Sequence, residues 1–146
     1  MPNSTDSDPH GFLPIKELFG ASEAISVQQL SVYLPNCDKA GSEIEDEDMS
    51  IWIEEALRIL SKIGGGASAV RDVLGAWLNP DNGELIREHT TIVYTYVDPE
   101  KLVDHVADLR AFIHQFGCDT NQGMMLFHLG GVAYRIVSFD GAAAET

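Results

Sequence analysis

The apolar positions between residues 49 and 63 recur every three or four residues, which is the period of an amphipathic helix. Acidic residues crowd the segment from Glu43 to Asp48, directly before this stripe. Carboxylates favour the positive end of a helix, so Glu45 or Asp46 is expected to cap it, and the glycine triplet at 64–66 is expected to end it. The stripe consists of Met49, Trp52, Ile53, Ala56, Leu57, Leu60 and Ile63.

A second amphipathic helix is predicted after residue 97. Asp98 and Pro99 suit the N-cap and the first helical position, and Gly117 is expected to end the helix. Its apolar stripe consists of Leu102, Val106, Leu109, Ile113 and Phe116.

Segments in which apolar and polar residues alternate predict five strands around these helices. Gly75 interrupts the second strand and indicates a β-bulge there. The segment 80–83 has the composition of a hairpin turn with Gly83 at positive φ, and Gly130 with Gly131 predicts another tight turn. The strands cover residues 25–35, 67–78, 84–97, 124–129 and 132–139.

The resulting order β-α-β-β-α-β-β predicts an α+β protein of the ferredoxin-like class, with an antiparallel sheet and both helices on one face. A single domain is expected over residues 25–139. Residues 1–24 are expected to form a flexible segment that contains an apolar docking island at 12–19, and residues 140–146 are expected to fray.

This plan leaves one face of the sheet without helices, although several strands carry apolar residues on both sides. Strands of that kind are normally covered on both faces, and a large exposed apolar patch is unusual for a monomer. We therefore expect the second face to be covered by another copy in a symmetric homodimer, by a protein partner, or by the island at 12–19. The residues expected at this interface are Tyr94, Tyr96, Met125, Phe127, Phe12 and Phe19.

The composition limits the kinds of partner. The 146 residues include 23 Asp and Glu against 9 Lys and Arg, a net charge of −14, so direct nucleic-acid binding is not expected. No segment approaches the roughly 20 apolar residues of a membrane helix, and the first residues carry no secretory signal. Cys37 and Cys118 form no CxxC pair, which favours free thiols and a cytoplasmic location.

Glu88 and His128 are the candidates for catalysis, although the sequence favours a non-enzymatic role. Glu88 lies among apolar residues of a predicted strand and needs a partner there, such as Arg71, Arg135 or a tyrosine hydroxyl. A structural ion pair or a catalytic acid or base would account for it. The chain has no nucleophile elbow, HExxH motif or dinucleotide-binding loop.

Four further residues are candidates for ligand binding. Tyr33 and Trp77 are expected to line a pocket between sheet and helices together with the two catalytic candidates. Asn121 and Gln122 lie in a polar loop whose side-chain amides suit hydrogen bonding. No cofactor is expected.

No metal site is expected either. His89 and His128 could meet across the sheet, but two histidines without a third ligand do not by themselves indicate a metal. The acids at 43–48 lack the regular spacing of a calcium-binding loop.

Three motifs taken together resemble a group of short bacterial proteins of unknown function. They are Gly75-x-Trp77, Gly83-x-Leu85-x-x-Glu88 and Phe116-Gly117-x-x-Thr120-Asn121-Gln122-Gly123, and the resemblance extends over residues 28–137. It implies a bacterial or phage cytosolic protein of a compact α+β type. It assigns no functional residues.

These observations favour a small acidic cytosolic interaction module, either a homodimer or an accessory, regulatory or immunity-type partner of another protein. The alternative is a small ferredoxin-like enzyme or ligand-binding domain with a pocket near Glu88. A third hypothesis, based on charge alone, is an inhibitor that mimics nucleic acid.

Overall fold

The structure is a computed structural model that describes residues 13–141. Within them, five strands form one antiparallel sheet in the order β2-β3-β1-β4-β5. This confirms the predicted α+β, ferredoxin-like arrangement. The strands are β1 (Gln28–Pro35), β2 (Ser68–Leu78), β3 (Leu85–Val97), β4 (Met125–Leu129) and β5 (Val132–Ile136), and the helices are α1 (Ile15–Leu18), α2 (Asp46–Gly64), α3 (Pro99–Leu102) and α4 (Val106–Asp119), with a 3₁₀ turn (Val103–His105) between α3 and α4.

The core lies between the sheet and the two long helices. Leu30, Val32 and Leu34 of β1 are completely buried, because β1 lies between β3 and β4 and the helices cover this face. From α2 the core receives Met49, Ile53, Ala56, Leu60 and Ile63, all members of the predicted stripe. Aromatic rings join the two helices, since Trp52 of α2 contacts Phe116 of α4 edge-on, with ring centroids 5.2 Å apart.

Helix α2 starts and stops where its sequence predicts. Glu45 occupies the N-cap position without a side-chain capping hydrogen bond, and three further acids occupy the first turn, where their charge complements the helix dipole. At the other end Gly65 adopts a φ of 87° and donates its N–H to the carbonyl of Ser61, which is a glycine C-cap.

The second predicted helix is interrupted. The Asp98 carboxylate accepts a hydrogen bond from the Glu100 N–H at 3.0 Å, and Pro99 takes the first helical position as expected. However, α3 ends at Leu102 and the 3₁₀ turn separates it from α4. Val106, predicted to be buried, is therefore 49% exposed.

The prediction that Gly117 ends this helix is wrong, because α4 continues to Asp119. Gly117 is buried inside the helix, and a Cβ at this position would overlap the ring of Phe139. Glycine at this position therefore lets the segment after β5 pack closely against α4. It does not end the helix.

The predicted bulge in β2 is also displaced. Gly75 pairs regularly with Glu88, whereas the register shifts between Val70 and Val73. Asp72, inside this shift, has a φ of 57°, a conformation that Asp tolerates better than most residues with a side chain.

Short segments on either side of the predicted domain, residues 13–24 and 140–141, are also described. Residues 15–18 of the apolar island form α1. Asp140, expected at the start of a frayed tail, is held to α4: its N–H donates to His114 Nδ1 at 2.7 Å, and its carboxylate accepts from Arg110. In residues 13–141, no helix has both the length and the apolar character needed to cross a membrane.

Candidate functional site

The face of the sheet opposite α2 and α4, here called the open face, carries aromatic and polar side chains. Successive side chains of a strand point to opposite faces, so Ser31 lies on the open face while its neighbours in β1 lie in the core. The register places Ser31 between Tyr94 of β3 and His128 of β4. Tyr94 contacts Tyr96 edge-on, with ring centroids 6.1 Å apart.

Tyr33 and His128 form a polar contact on the open face. The Tyr33 hydroxyl and His128 Nδ1 are 3.3 Å apart, and the ring centroids are 4.9 Å apart. Which group donates depends on the imidazole tautomer. Both side chains are half-buried, so the pair offers a partner an aromatic surface together with hydrogen-bonding groups.

The hairpin of β2 and β3 projects beyond the rest of the sheet. β1 pairs with β3 only as far as Thr90, which Val73 of β2 also pairs with, so residues 74–89, here called the arm, form a two-stranded ribbon. Gly83 in its turn has a φ of 72°, as predicted. A ribbon without a third strand or a helix cannot bury its own side chains.

Large apolar side chains are therefore exposed on both sides of the arm. On the side that faces the helices elsewhere in the sheet, Leu74 is 61% exposed, Leu78 65% and Leu85 46%. On the open-face side, Trp77 is 49% exposed. The three leucines were not among the residues predicted to matter. The signal that could have found them is length: β2 has 11 residues and β3 has 13, whereas β1 has only 8.

The position of Glu88 on the arm accounts for its surroundings. This residue is exposed, and within residues 13–141 it makes no ion pair with Arg71 or Arg135 and no side-chain hydrogen bond. The prediction that Glu88 needs a partner such as Arg71, Arg135 or a tyrosine hydroxyl is wrong, because none of the described residues covers the strand there and the exposed carboxylate is hydrated instead.

The charge of Glu88 nevertheless acts on Cys37. Burial raises the pKa of the Cys37 thiol, and the nearby carboxylates of Glu43, Glu88 and Asp38 raise it further. Since the thiolate is the reactive form, Cys37 is a poor nucleophile. Cys37 and Cys118 are both free thiols, as expected.

The structure does not bring the predicted pocket residues together. Tyr33 pairs with Ile92, four residues from Glu88, which is about 13 Å along the strand. Trp77 pairs with Ile86, still further out on the arm. Tyr33 and His128 thus form one small group, and Glu88 and Trp77 lie away from it.

The two histidines considered for a metal are also apart. His89 lies on the helix side of β3 and His128 on the open face of β4, with β1 between the strands. No group of three or more His, Cys, Asp or Glu residues that could hold a metal ion occurs in the described part of the chain.

The polar loop at 120–123 makes hydrogen bonds within the domain. Gln122 is nearly buried, and its Nε2 donates to the Cys37 carbonyl at 2.8 Å and to Thr120 Oγ1 at 3.1 Å. The Asn121 carbonyl accepts a hydrogen bond from the Lys39 N–H at 3.0 Å. These bonds fasten the loop to the segment between β1 and α2, and they occupy the Gln122 amide nitrogen.

Two of the predicted interface residues belong to the helix side. Met125 is completely buried in the core. Phe127 pairs with Val32 and stacks on Tyr134, with ring centroids 5.0 Å apart. The alternation of side chains along β4 correctly predicts that Met125 and Phe127 share a face. The pairing of β4 with β1 shows that this face is the one covered by the helices, so neither residue lies on the open face.

The remaining interface candidates differ in position. Tyr94 and Tyr96 lie on the open face, where Tyr96 is exposed. Phe19, directly after α1, is also strongly exposed. Phe12 lies outside the described residues.

Neither a family model nor a curated protein matches the sequence. Among solved structures, the chain is similar to a phage SAM lyase in complex with S-methyl-5'-thioadenosine, with a TM-score of 0.54 and 15% identity over 80% of this chain and 95% of that one. For the phage SAM lyase in its apo state the TM-score is 0.47, with 19% identity over 76% and 89%. For the divalent cation tolerance protein Cut A1 from Thermus thermophilus it is 0.40, with 8% identity over 79% and 88%. At these identities the likeness concerns the fold alone.

Proposed function

We propose that this protein works by association and that it assembles with further copies of itself through the arm and the open face. The observation that carries the proposal is the exposure of large apolar side chains on both sides of the arm. Burying such a side chain contributes about 1.5–3 kcal/mol, and a lone chain leaves that free energy unused. Two-fold assemblies are the commonest arrangement of identical chains.

The net charge of −14 sets the conditions for this association. Two copies with this charge repel each other. Salt screens the repulsion, and the screening length falls to about 8 Å at an ionic strength of 0.15 M. We therefore expect self-association to be stronger in 0.5 M than in 0.05 M NaCl. Apolar contacts between arms would survive at the higher concentration, whereas contacts made by ion pairs alone would weaken.

The test is a double substitution on the arm, Trp77→Ser with Leu78→Ser, followed by sedimentation equilibrium. We expect the dissociation constant to rise at least tenfold, because truncating a central aromatic residue often costs more than about 1.4 kcal/mol of binding free energy. Circular dichroism should show an unchanged fold, since both side chains are largely exposed.

The matched control is Ile51→Ser. Ile51 is 69% exposed on the outer surface of α2, so the substitution removes apolar surface away from the arm. It should leave the assembly unchanged. A wild-type protein that stays a monomer at 0.1 mM and 0.5 M NaCl would contradict the proposal, as would an equal effect of the control.

The second candidate is binding of a small thioether nucleoside on the open face. Two observations favour it: the Tyr33–His128 pair places two rings and their polar atoms together on that face, and a protein with a similar fold has been solved with S-methyl-5'-thioadenosine. Aromatic side chains can stack on a purine, and the hydroxyl and the imidazole can hydrogen-bond to it.

Titration calorimetry with S-methyl-5'-thioadenosine tests this candidate. We expect Tyr33→Ala to abolish a saturable signal. The control Tyr134→Ala removes a tyrosine from the other face of the sheet and should preserve the signal. Absence of binding by the wild-type protein would rule the candidate out without affecting the proposed self-association.

A further inference from the structure

A cavity of about 440 Å³ lies between α4 and the last two strands, away from the arm and the open face. Its walls are mainly apolar. α4 contributes Leu109 and Ile113, β4 contributes Leu129, and the stacked rings of Phe127 and Tyr134 also line it. Ligand pockets in proteins have about this size and this mainly apolar lining.

The cavity has a structural cause. β4 and β5 have only five residues each, so they offer α4 a short surface on which to pack. The 3₁₀ turn before α4 leaves Val106 at the mouth of the cavity, half exposed. Leu102 of α3 lines the same opening.

The lining offers no unmatched charge to a ligand. It contains no acidic residue, so nothing there would balance a cation. Arg110 donates to both carboxylate oxygens of Asp140, at 2.6 and 3.0 Å, so its charge is already matched. Arg135 also borders the cavity, but the alternation of side chains along β5 directs its guanidinium to the open face. The cavity therefore favours an uncharged molecule.

One polar side chain of the lining, His114, has a hydrogen-bonding atom to spare. It is buried, with 6% of its surface exposed, and its Nδ1 accepts the Asp140 N–H at 2.7 Å. Because a backbone amide can only donate, Nδ1 carries no proton and the neutral ring carries its proton on Nε2. This Nε2–H has no hydrogen-bond partner within residues 13–141.

The Nε2–H of His114 is turned toward the cavity. In the described part of the chain, the side-chain atoms that are fully enclosed without a partner are Asn36 Oδ1 and Thr90 Oγ1, so Nε2 borders accessible space. Asp140 lines a separate groove on the outer side of α4 and does not line the cavity. The two nitrogens of an imidazole point away from each other, so Nε2 is turned away from Asp140.

We propose that this cavity binds a small uncharged molecule with an apolar body and one hydrogen-bond acceptor, of which an aryl ketone is a simple example. The apolar body lies against Leu109, Ile113 and Phe127, where it leaves water. Its carbonyl oxygen accepts the Nε2–H of His114, a buried donor that is otherwise unsatisfied. The inference does not depend on the proposed self-association.

Titration of the ¹⁵N-labelled full chain with acetophenone, followed by amide chemical shifts, tests the location of the site. The wild-type protein should bind acetophenone saturably, with the largest shifts in α4 and β5. Val106→Trp, which fills the mouth, should weaken binding at least tenfold. The matched control is Val103→Trp: Val103 is exposed in the 3₁₀ turn and does not line the cavity, so binding should not change.

Two ligands of similar shape test the hydrogen bond and the charge. Ethylbenzene has no acceptor, so the wild-type protein should bind it at least threefold more weakly than acetophenone. Benzoate carries a charge that no free group in the cavity matches, so it should bind at least tenfold more weakly. His114→Phe keeps a ring but removes the donor, and it should bind acetophenone and ethylbenzene equally. The control His89→Phe, on the exposed arm, should keep the preference for acetophenone.

A measurement on the wild-type protein tests the donor without any variant. The chemical shifts of the two ring nitrogens of His114 report which nitrogen carries the proton. Above pH 7 they should show a proton on Nε2 and none on Nδ1. Acetophenone should shift the Nε2 signal, whereas ethylbenzene should leave it almost unchanged.

Several results would overturn the inference. They are a lack of saturable acetophenone binding, an equal loss in the two tryptophan variants, ethylbenzene binding as tight as that of acetophenone, and a proton on Nδ1 of His114. If acetophenone lowers the oligomeric mass, the occupant of the cavity is a second copy and the inference is wrong. A monomer that binds acetophenone would contradict the proposed function while supporting the cavity.

Discussion

The two long helices cover the same face of the sheet but are held to it in different ways. α2 lies over β3, next to the central strand β1, and buries five side chains in a continuous core. An apolar cavity lies beneath α4. The outer side of α4 is held by Asp140, whose carboxylate accepts a hydrogen bond from Arg110 and whose N–H donates to His114. α2 is thus held by the packing of its side chains, whereas α4 is held by packing together with the hydrogen bonds to Asp140.

The difference shows how strand length controls packing. Eight residues of β3, Thr90–Val97, pair with β1 in the body of the sheet and the other five belong to the arm, whereas β4 and β5 have five residues each in total. A helix over short edge strands lacks partners for part of its apolar stripe. The space beneath α4 is the result, so this half of the core is the more loosely packed of the two.

The largest expected effect comes from matched leucine truncations in the two halves. Leu60→Ala in α2 should lower the free energy of unfolding by about 4 kcal/mol, within the range of roughly 2–5 for buried leucines. Leu109→Ala in α4 should lower it by only about 2 kcal/mol, because Leu109 already borders a cavity and has fewer neighbours to lose. Urea denaturation measures both. Equal losses would show that the halves are packed alike.

A smaller loss is expected from Gly117→Ala. The added methyl would overlap the Phe139 ring, and such overpacking costs about 1–3 kcal/mol, more than the roughly 1 kcal/mol that alanine gains over glycine in a helix. Thermal denaturation should show a lower midpoint. Gly66→Ala is the control, since nothing lies within 4 Å of a Cβ there. Recovery of stability in Gly117→Ala with Phe139→Ala would confirm the cause.

The smallest effect is expected from Arg110→Gln. The hydrogen bond from Arg110 lowers the pKa of the Asp140 carboxyl, its charge adds to this, and His114 lowers the pKa slightly further, against an opposing effect of desolvation. A carboxylate with a lowered pKa stabilises the folded state above its unfolded-state pKa of about 3.9, and this contribution is lost as the pH falls through the folded-state value.

Urea midpoints between pH 7 and pH 3 measure that contribution in wild type and Arg110→Gln. The variant should lose part of the decline at acidic pH, and 0.5 M NaCl should reduce the difference, because both side chains are exposed and solvent screens their interaction. Arg58→Gln is the control, since within residues 13–141 the ion pairs of Arg58 are with Glu54 and Glu55 on the surface of α2. An unchanged pH profile in Arg110→Gln would mean that Asp140 is held mainly through its backbone and His114.

Local pattern was enough to predict most of the fold. The stripe of α2 and the glycines after it are signals within one segment, and the order of the elements determines the ferredoxin-like topology. Gly117 shows where such signals fail. A glycine after an apolar stripe usually ends a helix, but Gly117 lies inside the helix, where the absence of a side chain makes room for the ring of Phe139. Phe139 is distant in sequence, in the segment after β5. No local pattern contains that contact.

The candidate site was less predictable, because alternation groups residues by face without saying which face is covered. Met125 and Phe127 were placed correctly together but on the wrong side of the sheet, since only the pairing with β1 decides the side. The apolar strand predicts that Glu88 needs a partner, yet β3 is longer than β1 and Glu88 lies on the arm. Comparing predicted strand lengths would have identified the arm.

The irregularity at Asp72, at the base of the arm, bears on the kind of complex that the proposed self-association would form. β2 is an outer strand, and a straight outer strand readily recruits strands from other molecules in an endless ribbon. The register shift between Val70 and Val73 is a bulge-like irregularity, which bends a strand and interrupts its regular hydrogen-bonding edge. If the apolar side chains of the arm bring copies together as proposed, the interrupted edge of β2 should disfavour continuous strand addition, and we expect small closed complexes rather than fibrils.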